Sequence, residues 1–365
     1  MNLIKSIDIF CAVVDNFGDI GVCWRLSRQL SLDHHITVRL FVDDMESAKA
    51  IMPDDRSGVE VIHWVKDIDY HQAADMVIEA FACPLPDNVI AAMVAKKSVW
   101  IDLEYISAED WVAGCHAIPS KHPSTGLTKT LFFPGFDAQT GGIIRENGLI
   151  SRRNAFLNDE NAHNLWRKAH FIPEIDQKYI DISLFCYKTA PLDQLIEHLG
   201  GADKPIRLFR PVRTPQNTPQ KVGSVEIIEI PFLSQVDYDY LLWTCDFNFV
   251  RGEDSFVRAQ LAGKPFIWNI YVQEEAAHLV KLHAFLEKIR PFYDEASFER
   301  LANLHDLWNE EGQILTKHSW DVCGLSLQSL AGLKSGAQNW SDYLCNQIDL
   351  STQLLTFANT QITKK

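Results

Sequence analysis

Short β-branched and aliphatic runs alternate with stretches of helical period along this chain, and the alternation starts, lapses and starts again. Ile7–Val14 reads as a buried strand, Ile20–Leu30 as a helix with Val22, Leu26 and Leu30 on one face, and Ile36–Val42 and Val59–Trp64 as strands. Met76–Ala80 is a short apolar run after the acidic Asp75, Asn88–Ala95 reads as a helix and Ser98–Leu103 as a strand. A sequence that alternates in this way buries both faces of a parallel sheet under helices. From Gly114 to Gly148 the chain turns rich in Gly, Pro, Ser and Thr, with Leu131-Phe132-Phe133 as a closing strand and one helix expected near Ala162–Ala169. The pattern then restarts: strands at Ile180–Phe185, Ile206–Phe209, Val225–Ile230, Asp246–Val250 and Pro265–Trp268, and helices at Leu192–Leu199, Val236–Trp243, Ser255–Leu261 and Glu274–Lys288. Pro211–Gly223 reads as a loop, and the end beyond Leu330 as helical. The reading is α/β, with two Rossmann-like, doubly wound domains facing across a cleft. Residues 1–150 form the first, 151–173 a bridge, 174–345 the second, and 346–365 a helical tail.

Two domains also suit 365 residues, since single cores hold roughly 100–200. With 34 Lys and Arg against 48 Asp and Glu, the formal net charge is −14. Such a chain is ill suited to gripping a phosphate backbone by counterion release, so nucleic acid is not an expected partner. A nucleotide-sized ligand needs only one focused cationic site. None of the eight cysteines forms a Cys-x-x-Cys pair, and several sit in apolar runs, as Cys11 does, which reads as reduced thiols in a cytoplasmic protein. No run reaches the ~20 apolar residues of a membrane span. His34-His35, His278 and His283 lack a matching acidic set, so no metal site is expected.

Two turn sequences carry chemistry. Asp15-Asn16-Phe17-Gly18-Asp19 follows the first strand and precedes the first helix, at the sheet edge where ligands of such folds bind. Two carboxylates there can orient an acceptor or take its proton. The same residues also read as a turn and a helix cap, and the residues alone leave that open. Asp43-Asp44 follows the second strand, as a solvated turn or as an acidic surface for a cationic acceptor. No Gly-x-Gly-x-x-Gly is present, so an ordinary dinucleotide site is not supported.

The second turn, Arg251-Gly252-Glu253-Asp254-Ser255, stands between a strand and a helix that ends in Gly263-Lys264-Pro265. Amide N–H groups at a helix start, with the helix dipole behind them, hold a diphosphate. Arg251 adds a fixed planar cation and Ser255 a hydroxyl donor, and Glu253 can accept from a ribose or sugar hydroxyl. A capped helix with an exposed ion pair explains one or two of these residues but not the cluster. Phe185 and Tyr187 end the first strand of the second half. Phe232 and Gln235 follow its third strand, where a ring can cover a pyrimidine and an amide can pair with its edge.

Taken together, Asp15–Val22, Leu131–Phe136 and Arg251–Ser255 resemble the elongation factor P arginine rhamnosyltransferase family, glycosyltransferases of the GT-B class. The resemblance implies transfer of L-rhamnose from dTDP-β-L-rhamnose to an arginine of elongation factor P, with inversion and without a metal or other cofactor. It implies Asp19 as general base, with Asp15 supporting the acceptor site and Glu253 needed for activity. Arg251, Asp254, Ser255 and Tyr187 would surround the donor diphosphate, and Phe232 and Gln235 would hold the thymine. Phe185 would line the same pocket, Asn16, Phe17 and Gly18 would touch the donor, and Asp43 and Asp44 would join Asp15 and Asp19 in drawing the acceptor. The other readings of the same motifs are a GT-B enzyme with another acceptor, a nucleotide-sugar epimerase, and a non-catalytic nucleotide-sugar binder.

Overall fold

The computed structural model describes residues 3–14, 17–52, 58–65, 68–216, 218–309 and 327–363. The chain forms two compact units, the first made of Met1–Asn147 with Asn346–Lys365 and the second of Gly148–Cys345. The first contains β1 (Ser6–Cys11), α1 (Gly18–His34), β2 (Thr37–Val42), α2 (Met45–Ile51), β3 (Val59–His63), β4 (Met76–Ala80), α3 (Asp87–Lys96), β5 (Val99–Leu103), α4 (Trp111–Cys115), β6 (Pro119–Lys121) and β7 (Thr128–Phe132). Its strands lie in the order β3-β2-β1-β4-β5-β7-β6. The pairings are parallel until β7, against which β6 runs antiparallel.

The second unit contains α5 (Leu149–Asn158), α6 (Glu160–Ala169), β8 (Ile180–Leu184), α7 (Leu192–Gly200), β9 (Ile206–Val212), β10 (Gln220–Val222), β11 (Val225–Pro231), α8 (Gln235–Thr244), β12 (Phe247–Arg251), α9 (Asp254–Ala262), β13 (Phe266–Asn269), α10 (Ala277–Ile289), α11 (Glu295–Asn309) and α12 (Leu327–Cys345). Its sheet runs β10-β11-β9-β8-β12-β13. The last helix, α13 (Leu350–Thr363), belongs to the first unit.

Both sheets have the expected doubly wound order, which places a switch point between β1 and β4 in the first and between β8 and β12 in the second. At such a point the loops leaving the two strands diverge to opposite faces and open a crevice beyond their carboxyl ends. The loops that carry the two turn sequences leave β1 and β12, one at each switch point.

A strand at the switch point of each sheet hides an aspartate among aliphatics, which the hydrophobic pattern alone does not foresee. In β1, Asp8 is fully buried and takes Arg39 Nε and Nη2 on its two oxygens at 2.6 and 2.7 Å, with Tyr70 and the Ala74 N–H completing the set. In β8, Asp181 takes Arg207 at 2.6 and 2.8 Å and Arg167 at 2.7 Å. In each case the first arginine stands directly opposite on the neighbouring strand. Bidentate geometry offsets the desolvation of both charges, and removing one partner from such a pair costs roughly 3–5 kcal/mol. Around Asp8 the core is aromatic: Phe10 stacks on Phe41 at 4.4 Å, with Trp64 and Tyr70 edge-on.

Several local expectations need correction. α1 buries nearly every residue from Asp19 to Ser27, not one stripe, because α13 packs on it: Gln29 donates to Asp349 at 2.9 Å and His34 meets Ser351 at 2.7 Å. The Gly- and Pro-rich stretch holds the β6–β7 hairpin, two helices occupy the region where one was expected, and β10 lies in the expected loop. The helix expected from Glu274 begins only at Ala277, because Glu275 and Ala276 take left-handed backbone (φ 54° and 56°).

Candidate functional site

At the switch point of the first sheet, α1 starts without a side-chain cap on Phe17, and Gly18 is its first residue. Gly18 is helical, so the position does not use a left-handed conformation. Asp19 is 1% exposed and does not cap its helix. Its carboxylate accepts the Val14 N–H on Oδ2 at 2.8 Å and the Tyr105 hydroxyl on Oδ1 at 3.0 Å. Asp43 ties down the same loop by accepting the Val13 N–H at 2.9 Å. Asp44 is the N-cap of α2, accepting the Glu46 and Ser47 N–H groups at 2.9 and 3.1 Å, and the Ser47 hydroxyl first, with these amides, holds its carboxyl below the usual range. The acidic pair thus divides into a loop anchor and a cap. Asp15 and Asn16 lie outside the described residues.

At the switch point of the second sheet the predicted residues converge. The Arg251 guanidinium lies over the Phe185 ring at 4.2 Å and over the Tyr187 ring at 4.8 Å, and donates to the Cys186 carbonyl at 3.1 Å. Phe185 packs edge-on to Phe232 at 6.4 Å and to Tyr238 at 5.8 Å. Gln235 donates from Nε2 to Asp254 at 2.9 Å, and the Ser255 hydroxyl donates back to the Arg251 carbonyl. Gly252 has a φ of 65°, a left-handed turn that a side chain would strain, and its carbonyl accepts Trp268 Nε1–H at 2.8 Å. Glu253, the N-cap, makes no side-chain capping bond, so the capped-helix reading does not hold for α9.

Pattern reading missed the supports of this cluster. Asn269 accepts the Tyr187 N–H at 2.8 Å and is itself bonded to Asn309 of α11 at 3.3 Å. Arg258 of α9 makes a buried bidentate pair with Asp239 of α8, at 2.8 and 2.6 Å, which fixes the two helices together. Burial, reinforced by the charge of Asp254, pushes the Tyr238 phenol up, so it stays neutral. Asn269 and Tyr238 gave no signal in the sequence because each acts through a partner far along the chain.

A titratable pair lies at the start of α8. Asp237 takes His170 at 3.3 Å, the Trp166 indole N–H at 3.1 Å and the Ser234 hydroxyl at 2.7 Å. The His170 hydrogen bond is the main reason its carboxyl falls to about 2, while Asp237 raises His170. The raised histidine contributes stability below its unfolded value near 6.5 that is lost as pH rises through the folded value. The depressed carboxyl contributes stability above about 4 that is lost as pH falls towards 2. The pair is therefore strongest between about pH 4 and 6.5. His170→Gln should lower stability more at pH 5.5 than at pH 8.5, by less than about 1 kcal/mol because both groups are partly exposed. Urea unfolding of both proteins at the two pH values measures this; equal losses would remove the pair from the account.

A cavity of 230 Å³ lies elsewhere, at the amino-terminal edge of the first sheet, lined by Asp8, Arg39 and Lys96 among others. Asp8 there is already committed to Arg39 and Tyr70. Among the described residues no group of three His, Cys, Asp or Glu is placed to hold a metal ion, and no helix is long and apolar enough to cross a membrane.

The sequence matches the family described as Elongation-Factor P (EF-P) rhamnosyltransferase EarP over residues 7–359. The chain belongs to this family. The protein-arginine rhamnosyltransferase of Pseudomonas putida is 40% identical over 374 residues, covering 96% of this chain and 97% of the relative. A solved structure described as the structural basis for EarP-mediated arginine glycosylation of translation elongation factor EF-P shares 30% identity at a TM-score of 0.69, covering 97% of this chain and 99% of that one. A UGT transferase from Siraitia grosvenorii, solved with UDP, shares the fold at a TM-score of 0.54 and 9% identity, covering 98% and 99%. The two sheets are those of a GT-B glycosyltransferase, as the EarP-like turn sequences imply.

Proposed function

We propose that this chain moves L-rhamnose from dTDP-β-L-rhamnose to an arginine side chain of translation elongation factor P, in the cytoplasm, with inversion and without a metal. The observation that carries the reading is Arg251, stacked on Phe185 and Tyr187 beside the amino-terminus of α9, in a chain of the EarP family. In this proposal the second unit holds the donor. Arg251, Tyr187, Ser255 and the Asp254 amide surround the diphosphate, Phe232 and Gln235 take the thymine, and Phe185 walls the pocket. The first unit holds the acceptor at Asp19, with Asp15 four residues before it and Asp43 bonded to the same loop at Val13, while Asp44 caps α2 at the end of the acidic pair.

A guanidinium is a weak nucleophile, because it stays protonated and its electron pairs are delocalised. Asp19 binds it and takes one N–H proton as that nitrogen forms a bond to the anomeric carbon. The bond from that carbon to the diphosphate oxygen breaks, and dTDP leaves with one more negative charge. The product guanidinium keeps its single positive charge. Arg251 and the helix dipole of α9 stabilise the new charge on the leaving group. Glu253, at the N-cap, acts on the donor sugar.

The test is to incubate the protein with elongation factor P and dTDP-rhamnose and measure intact mass. A gain of one deoxyhexose, mapped to arginine, is the expected result. Donor consumed with no gain on elongation factor P would point to another acceptor, and no consumption at all would leave a binding protein.

A further inference from the structure

We propose that Tyr105 is a positioning residue for the transfer reaction, acting through Asp19. The proposal rests on Asp19 being the base. Tyr105 follows β5 and reaches the carboxyl edge of the first sheet, where its hydroxyl donates to Asp19 Oδ1 at 3.0 Å while the Val14 N–H donates to Oδ2 at 2.8 Å. With one donor on each oxygen, the plane of the carboxylate is fixed. A base that must bind a planar guanidinium and take its proton depends on that plane, because a small misplacement of a reacting group costs rate steeply.

Tyr105 is itself held. Its ring stacks on Phe81 at 4.2 Å and 13°. Phe81 and Ala82, which leave β4 on the other side of the switch point, both take left-handed backbone, with φ of 57° and 52°. Two successive non-glycine residues in that region are costly, and such strain persists only where surrounding contacts impose it. Here the Phe81 N–H donates to the Leu103 carbonyl at 2.7 Å and the Cys83 N–H to the Ala80 carbonyl at 3.2 Å. The strained turn thus sets a platform, the platform sets the Tyr105 ring, and the ring aims its hydroxyl at Asp19. Loops from β1, β4 and β5 meet in this arrangement.

Tyr105→Phe keeps the stack and removes the hydroxyl. It should lower kcat about 10- to 100-fold, as misplacement of a reacting group does, with KM for dTDP-rhamnose unchanged and the protein still folded. In an Asp19→Asn background the same change should cost nothing further, because the two residues act as one unit. Wild-type kcat in Tyr105→Phe, with Asp19→Asn inactive, would overturn the positioning role and leave the base standing. Losses that multiply in the double variant would also overturn it. Wild-type turnover in Asp19→Asn would sink both.

Discussion

Asp19→Asn should cut rhamnosyl transfer by roughly 10²- to 10⁴-fold, the range for losing a general base, while the protein folds and binds its donor as before. The substitution is close to isosteric. The amide oxygen can keep the Val14 N–H, and the amide nitrogen can meet the Tyr105 hydroxyl, which turns to accept. What disappears is the negative charge that holds a guanidinium and receives its proton. Melting temperature and dTDP binding serve as controls, since the donor cluster lies in the other unit. Turnover within a few-fold of wild type would mean that another group removes the proton.

Arg251→Lys should be almost as damaging, lowering kcat/KM for dTDP-rhamnose by about 10²- to 10³-fold, as loss of one fixed charge stabiliser does. Lysine keeps the positive charge, so a purely electrostatic account predicts little effect. The geometry predicts otherwise. The guanidinium plane lies against two rings and anchors itself on the Cys186 carbonyl. An ammonium on a flexible stem cannot reproduce the stack or that bond together with a diphosphate contact. The steady-state constants with varied donor decide it, and a loss under about threefold would show that the stacked guanidinium is not what the leaving group feels.

The fold was largely legible because burial on both faces of a parallel sheet leaves short aliphatic runs between helical stretches: β1, β5 and β8 lie where strands were expected, while β4 showed only as a short apolar run. The two turn sequences were legible because polar residues beside glycine, placed after such strands, fall at the carboxyl edge by topology alone. The supporting residues were not. Tyr105 lies 86 residues beyond Asp19, and Asn269 lies 82 beyond Tyr187. No local pattern marks a hydrogen bond formed over such a separation. Asp8 and Asp181 were hidden for the opposite reason, since an aspartate in an apolar run breaks the pattern unless its arginine on the next strand is known. Asp44, read as part of a solvated turn or an acidic surface, caps α2, a role that the sequence reading did not consider.

The return of α13 to the first unit makes that unit discontinuous in the chain, which bears on how it folds. Leu350, Leu354, Leu355 and Ala358 are buried there, Phe357 meets Phe132 at 5.9 Å, and Asn359 accepts the N–H of Leu3 at 2.8 Å. Gly142, left-handed at φ 73°, passes so close to the Ile348 carbonyl that a Cβ would collide with it at 2.3 Å. α1 therefore stays uncovered until α13 is in place, and closing the first unit joins parts of the chain as far apart as Leu3 and Asn359, 356 residues, a long-range step of the kind that slows folding.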